Sequence, residues 1–313
     1  MLLGLSWMVM ACLIMSGIVL DCLFGEVRRW HPLSGFGNLA GCAEKRLNRN
    51  HVGRVRGIAA WLLVVLPIVA VSWLVTAWLA QLHILLALMT HVILLYFCVG
   101  LRSLRDHLLP IAQALQEGDL PLARHLTGRI VSRDTTSLSE MEIAKAGVES
   151  LLENGNDAVF GTLFWFLVAG GPGAVLFRLA NTLDAMWGYR NQRFLHFGWA
   201  AARIDDGLNL IPARLTAFSY AVLGNTRLAG RCWHQQARHW SSPNAGPVMA
   251  AGAGALNISL GGDAIYDGEI EHRPALGSGP LAVGTDIARA WKLVSRTTAL
   301  WMLVIALIGM THA

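Results

Sequence analysis

Glu149, Glu153 and Asp157 follow Lys145 at successive intervals of four in the stretch SLSEMEIAKAGVESLLENGND. On a continuous helix this spacing lays three carboxylates and a lysine along one slowly drifting stripe. Directly after Asp157 come twenty residues without a charge, AVFGTLFWFLVAGGPGAVLF, so the stripe ends at the edge of a hydrophobic layer. Carboxylates there suit metal or phosphate chemistry, because magnesium takes one or two carboxylates plus substrate phosphates and keeps several waters.

Further polar groups recur along the chain: Arg133, Asp134 and Thr135; Asn154 beside the stripe; Asn181, Asp184, Tyr189 and Arg190; Arg203, Asp205, Asp206, Asn209 and Arg214; and Ser241, Ser242 and Asn244. The expected metal ligands, which are also the candidate catalytic groups, are Glu153 and Asp157 with Asp205 and Asp206. The expected substrate and phosphate binders are Arg133, Asp134, Thr135, Asn154, Asn181, Asp184, Arg190, Arg203, Arg214, Ser242 and Asn244, the arginines neutralising phosphate oxygens during transfer. A plainer reading stands beside each. Lys145 with Glu149 is a solvated helix pair worth ~0.2–0.5 kcal/mol, Asp205-Asp206 before Gly207 ends a helix, and Asn181, Asp184 and Ser242 are caps. Arg214 falls inside the apolar stretch Leu208–Gly224, where a charge is costly; it is expected to line a polar cavity and bind an anion. Asp205 and Asp206 are its nearest possible partners in sequence. There is no Walker A motif, GxSxG or HExxH.

The elements that must position these groups are helices in a bilayer. Of the 313 residues, 54% are hydrophobic and 14% charged, against about 25% charged in a soluble domain. Uncharged runs near the ~20 residues that cross a bilayer occupy 1–20, 57–80, 82–101 and 297–313. The fold is therefore expected to be an all-α polytopic integral membrane protein, with about four spanning helices plus re-entrant or buried helical segments. The first run has no basic leader or small-residue cleavage site and is expected to stay in the mature protein. Residues 25–56 are an Arg-rich loop and, by the positive-inside rule, cytoplasmic; 57–101 form a helical hairpin. Residues 102–157 are cytoplasmic helices opening at Ser139 with the Glu142 capping-box spacing and breaking near Gly118, Asp119 and Pro121. Residues 158–224 are a membrane-associated core whose Gly170-Gly171-Pro172-Gly173 would break a spanning helix, which favours a re-entrant or protein-buried segment. Residues 225–296 are a cytoplasmic region of small residues that allow close backbone approach, and 297–313 exit as the last helix. One domain spans 1–313.

The net charge is +5, and three of the 25 basic residues are lysine. An arginine bias suits anionic ligands, and genomic base composition produces the same bias. No basic run resembles a nucleic-acid arm, and nucleic acid is not an expected partner. Cys12, Cys22, Cys42, Cys98 and Cys232 have no metal-ligand spacing and are read as free thiols. His31, before Pro32, is read as a loop histidine.

IVSRDTTSL, AGVESLLENGNDAV, NTLDAMWGYR, ARIDDGLNLIPARLTA, SSPNAG and AGALNISLGG with Tyr266-Asp267-Gly268 resemble, in order, the motif series of the CbiB/CobD family of cobalamin biosynthesis, the adenosylcobinamide-phosphate synthases. Gly25-Glu26-Val27 and His31-Pro32-Leu33 stand where that family has GDP and HPV-type motifs. The resemblance implies a ligase that uses ATP and magnesium to join aminopropanol, or aminopropanol phosphate, to a propionate of adenosylcobyric acid. It implies a multi-pass protein of the inner cell membrane with its site facing the cytoplasm. Its partners would be the lipid bilayer, these substrates and other membrane enzymes of cobalamin assembly. Two alternatives remain open: a magnesium-dependent membrane transferase acting on a lipid or alcohol phosphate, and a non-catalytic AmpE-like membrane sensor.

Overall fold

The computed structural model describes residues 5–27, 31–49, 53–131, 134–266 and 269–311. Its helices are α1 (Trp7–Phe24), α2 (Pro32–Leu47), α3 (Arg54–Leu82), α4 (Ile84–Cys98), α5 (Leu101–Gln116), α6 (Leu120–Thr127), α7 (Glu140–Gly155), α8 (Gly161–Trp187), α9 (Trp199–Leu223), α10 (Thr226–Gln236), α11 (Ala245–Leu256) and α12 (Gly284–Thr311). A π-helical turn, Asn156–Phe160, joins α7 to α8. Among the described residues five helical stretches are long and apolar enough to cross a membrane: Trp7–Phe24, Arg54–Leu82, Ile84–Gln116, Glu140–Trp187 and Gly284–Thr311. The protein is all-α and multi-pass, and the chain divides into two compact units.

The first unit comprises Met1–Gly100, Asp157–Asn209 and Met302–Ala313. Its α8 packs on α3 and α4, and α4 packs on α1. The hairpin turns at His83, whose extended backbone stops α3 and whose ring accepts the N–H of Leu85 to start α4. Within the segment read as a loop, Pro32 at the first helical position and the His31 ring, which accepts the N–H of Leu33, open α2. Glu44 of α2 is buried and takes a bidentate pair from Arg193, at 3.1 Å from Nε and 2.7 Å from Nη2.

The glycine-proline run in α8 acts as its composition predicts. Ala169 and Gly170 leave helical geometry, Gly170 at φ 64°, a conformation that favours glycine. Pro172 then sits two residues into the second half, where it has no helical N–H to forfeit. The N–H freed at Gly171 is taken by the buried His91 ring at 2.9 Å. The halves nevertheless continue in series. In the Glu140–Trp187 span 67% of the most apolar window is buried in protein, against 22% for Arg54–Leu82. Protein therefore surrounds α8 and can tolerate its broken backbone.

The second unit comprises Leu101–Asn156 and Leu210–Trp301. Here α5 and α6 break at 117–119 as expected, Asp119 accepting the Leu122 N–H. At Ser139 both halves of the capping box are present: Ser139 N to Glu142 Oε2 at 2.8 Å and Glu142 N to Ser139 Oγ at 3.4 Å. Every residue of α11 is buried. Its small side chains permit this, because a Cβ on Gly252 would stand 2.7 Å from Leu152 and one on Gly254 2.7 Å from the Ala229 backbone. Four short strands follow: β1 (Ser259–Gly261), β2 (Ala264–Tyr266), β3 (Glu269–Glu271) and β4 (Ala275–Gly277). They pair antiparallel as β1 with β4 and β2 with β3.

Candidate functional site

In the first unit the carboxylates gather around Asp205. It is buried in α9 and accepts from Asn181 Nδ2 at 3.4 Å and from Asn209 Nδ2, one turn on, at 3.2 Å. Asp157, from the π turn, and Asp184, from α8, lie close enough to act on its charge. Burial, followed by these two negative neighbours, pushes the Asp205 carboxyl well above the usual carboxylate range, against the pull of its two amide donors. Asp206 is half-buried, near Asp184, and pairs loosely with the exposed Arg203 of its own helix at 3.8 Å. The Asp184 carboxylate is seated over Gly188: a Cβ there would meet Asp184 Oδ1 at 2.1 Å. Only glycine leaves that space, and the Gly188 N–H closes the helix on Asp184 O at 2.7 Å.

Asn181, Asp184, Asp205 and Asp206, together with Asp157, are thus brought to one region from three segments. Arg190 and Tyr189 are exposed beyond the end of α8. Arg133 lies outside the described residues. The π turn carries Asp157 out of strict four-residue succession, since each such turn inserts a residue into the α repeat.

Other predicted groups lie in the second unit. Glu153 is half-buried in the last turn of α7, and Asn154 there donates to Ser150 O at 2.9 Å and Ser150 Oγ at 3.0 Å. Thr135 is buried and donates to Arg124 O at 3.0 Å. The exposed Asp134 accepts from Thr136 N and Oγ1, at 2.9 and 2.7 Å, and these bonds hold its carboxyl below the ordinary value. The Asp134 bonds are a local turn, whereas the Thr135 bond ties this segment back to α6. Arg214 Nη1 donates to Leu210 O at 3.1 Å and to Asn244 Oδ1, so the arginine and asparagine predicted from separate motifs do meet. Ser242 Oγ accepts from the backbone of Asn244 and Ala245, at 3.3 and 3.1 Å, and starts α11.

Several partners escaped the sequence reading. Glu149 of the stripe is buried, accepting from Gly261 N at 2.9 Å and from Arg273 at 3.2 and 3.3 Å. Lys145 donates to Asp263 O at 3.2 Å. Asn156 is buried and accepts from Thr216 Oγ1 at 2.9 Å. Arg178, buried at Nε, is near Asp157, Glu26 and His31. The motifs ENGND and ARLTA contain Asn156 and Thr216, but nothing in their spacing pairs them.

Among the described residues no group of three or more His, Cys, Asp or Glu side chains forms a ready metal cage. Magnesium does not need one, since phosphates and waters complete its shell. The donor set around Asp205 fits such an ion: hard carboxylate oxygens whose mutual repulsion a divalent charge would relieve.

The CobD/Cbib protein family model matches residues 14–294. The cobalamin biosynthesis protein CobD of Stutzerimonas stutzeri is 52% identical over 307 residues, covering 96% of this chain and 98% of its own. The corresponding protein of Chromobacterium violaceum is 54% identical, covering 95% and 97%, and that of Geobacter metallireducens 39%, covering 84% and 85%. No solved structure matches the chain. By a family match across most of its length and relatives this similar end to end, the chain belongs to the CobD/Cbib protein family.

Proposed function

We propose that this protein acts in cobalamin biosynthesis, using ATP and magnesium to join aminopropanol or its O-phosphate to a propionate of adenosylcobyric acid. The family and its named relatives support the pathway. The observation that carries the chemistry is the buried Asp205 with the half-buried Asp157 and Asp184 acting on its charge. A carboxylate and an amine do not condense in neutral water, so the propionate must first gain a leaving group. Transfer of the terminal phosphoryl group of ATP to a propionate oxygen supplies one and releases ADP. The amine nitrogen then attacks the carbonyl carbon, loses a proton, and phosphate departs as the amide forms.

Asp157, Asp184 and Asp205 would hold magnesium. Bound there, it would neutralise phosphate charge and orient the transferring group. The proposal leaves Asp206 as a further ligand, to be tested by Asp206→Asn. Asn181 and Asn209 orient Asp205. Arg214 and Asn244 are proposed as a substrate-binding pair. The cytoplasm supplies ATP, so the site would face it from the cell membrane, with residues 25–56 on the same side.

Detergent-purified protein incubated with adenosylcobyric acid, ATP, magnesium and each amine should yield the amide by mass spectrometry, with one ADP per product. Turnover of a lipid diphosphate under those conditions, without any corrinoid amide, would instead select the transferase.

A further inference from the structure

Arg178 occupies α8 one turn before Asn181, in a span-capable helix. Its Nε is buried and has no hydrogen-bond partner among the described residues. The arginines that do form ion pairs there are Arg102, Arg193, Arg203, Arg273 and Arg289. Asp157 and Glu26 are near enough to act on the Arg178 charge through space, yet neither closes a pair with it. The residue as a whole is half-buried, and a nitrogen buried without a partner carries a desolvation penalty. Chains keep such residues where function compensates the cost.

The surroundings suit a ligand's oxyanion. The planar fork of arginine matches the two oxygens of a carboxylate or phosphate. Asp157 belongs to both neighbourhoods, that of Arg178 and that of Asp205, so an anion on Arg178 would lie beside the proposed magnesium ligands. The buried Cys98 thiol and His31 are further neighbours. The His31 Nδ1 accepts the Leu33 N–H at 3.2 Å, which leaves Nε2 as the donor of the neutral ring. Burial first lowers the proton affinity of the His31 ring; Glu26 opposes this and Arg178 adds to it.

We infer that Arg178 is the anchor of an oxyanion-binding subsite in the first unit, taking a phosphate or carboxylate group of the ligand that reacts beside Asp157. The identity of that ligand rests on the amide-forming reading; the need for an anion does not.

The test uses full-length protein in detergent, followed by thermal unfolding and by equilibrium binding. The probes are ATP with magnesium, aminopropanol O-phosphate, cobyric acid and pyrophosphate, on the native sequence, Arg178→Met and Arg178→Lys. Without ligand, Arg178→Met should unfold at the same or a higher temperature, because it removes a buried nitrogen that has no hydrogen-bond partner among the described residues. Its affinity for at least one probe should fall about 10- to 150-fold, the equivalent of a lost charge-assisted hydrogen bond, and Arg178→Lys should recover part of it. The probe that loses affinity identifies the source of the oxyanion.

An Arg178→Met protein that unfolds several degrees earlier and binds every probe normally would make Arg178 structural and overturn the inference. It would leave the ligase assay untouched. If the native protein binds only pyrophosphate, and does so through Arg178, the subsite stands and the amide-forming reading falls. If it binds none of the four, both fall.

Discussion

Glu149 and Asp205 are both buried carboxylates, and the sign of the charge beside each separates them. Glu149 has Arg273 across from it, the Gly261 N–H on one oxygen, and Trp240 stacked under the arginine at 5.4 Å. Asp205 has two neutral amides and the negative Asp157 and Asp184. Burial penalises the charge on either residue, but in the second unit a partner offsets the penalty, whereas in the first the neighbours increase it. The arginines repeat the contrast: Arg273 is paired, and Arg178 has a buried nitrogen with no partner among the described residues. A polar group that the chain itself satisfies holds the fold together. One that it leaves short of counter-charge points to something that binds.

Substitution should split the two carboxylates by outcome. Asp205→Asn is expected to lower amide-forming turnover about 10³-fold, the loss of ~4 kcal/mol of charge stabilisation, with unfolding temperature unchanged or raised. Glu149→Gln strands Arg273 and should cost ~3–5 kcal/mol of stability, while each folded molecule turns over near the native rate. Turnover per folded protein and thermal unfolding, measured on both variants, decide it; a reversed pattern would abolish the comparison.

Gly188→Ala tests the same cluster without removing a charge. The new methyl would fall on Asp184 Oδ1, so the carboxylate must move. A displacement of that size near reacting groups is expected to lower turnover ~10- to 100-fold and to raise the magnesium concentration for half-maximal rate. An unchanged magnesium dependence would remove Asp184 from the ligand set.

The Asp205 carboxyl also fixes a pH signature. Its folded pKa lies above the unfolded value, so its contribution to stability is complete below the unfolded pKa, ~3.9, and is lost as pH rises through the folded one. In chelator the unfolding temperature should therefore fall by a few degrees across that window. Magnesium, which binds the deprotonated form, should flatten the decline, as should Asp205→Asn. A native protein in chelator with no such slope would place Asp205 in an ordinary environment.

Elements governed by local chemistry were legible in the sequence. The capping box at Ser139, the break before Leu120 and the kink at Gly170 each depend on a few adjacent residues whose types leave one good conformation. The site was legible only in part. Counting in fours assumed an unbroken α repeat, and the π turn at Asn156–Phe160 removed that premise just where Asp157 sits. Glu149, read either as part of the acidic stripe or as a solvated partner of Lys145, meets Arg273 from 124 positions away, a distance no periodicity encodes. Asp134 and Thr135 fit either a turn or a ligand site because the same oxygens serve both. Arg178 lay unnoticed beside NTLDAMWGYR, since only the fold reveals that, among the described residues, its buried Nε has no hydrogen-bond partner.

The smallest expected effect lies in the second unit, at Ser242. Its hydroxyl accepts the N–H groups of Asn244 and Ala245, which α11 would otherwise leave unpaired at its start. Those bonds also fix the residue whose side chain receives Arg214. Ser242→Ala should then cost ~1 kcal/mol, the usual value for a lost cap, and loosen the Arg214–Asn244 contact in proportion. Because the two sites are adjacent, Ser242→Ala and Asn244→Ala should be non-additive in unfolding free energy, with a coupling of at least ~0.5 kcal/mol. The substrate-binding role that the sequence motif suggested for Ser242 predicts something else: a raised KM for one substrate with stability intact. Thermal unfolding of the single and double variants, with KM for each substrate, separates them. A KM change without a stability change would move Ser242 out of the satisfied class that Glu149 represents and into the one that Asp205 defines.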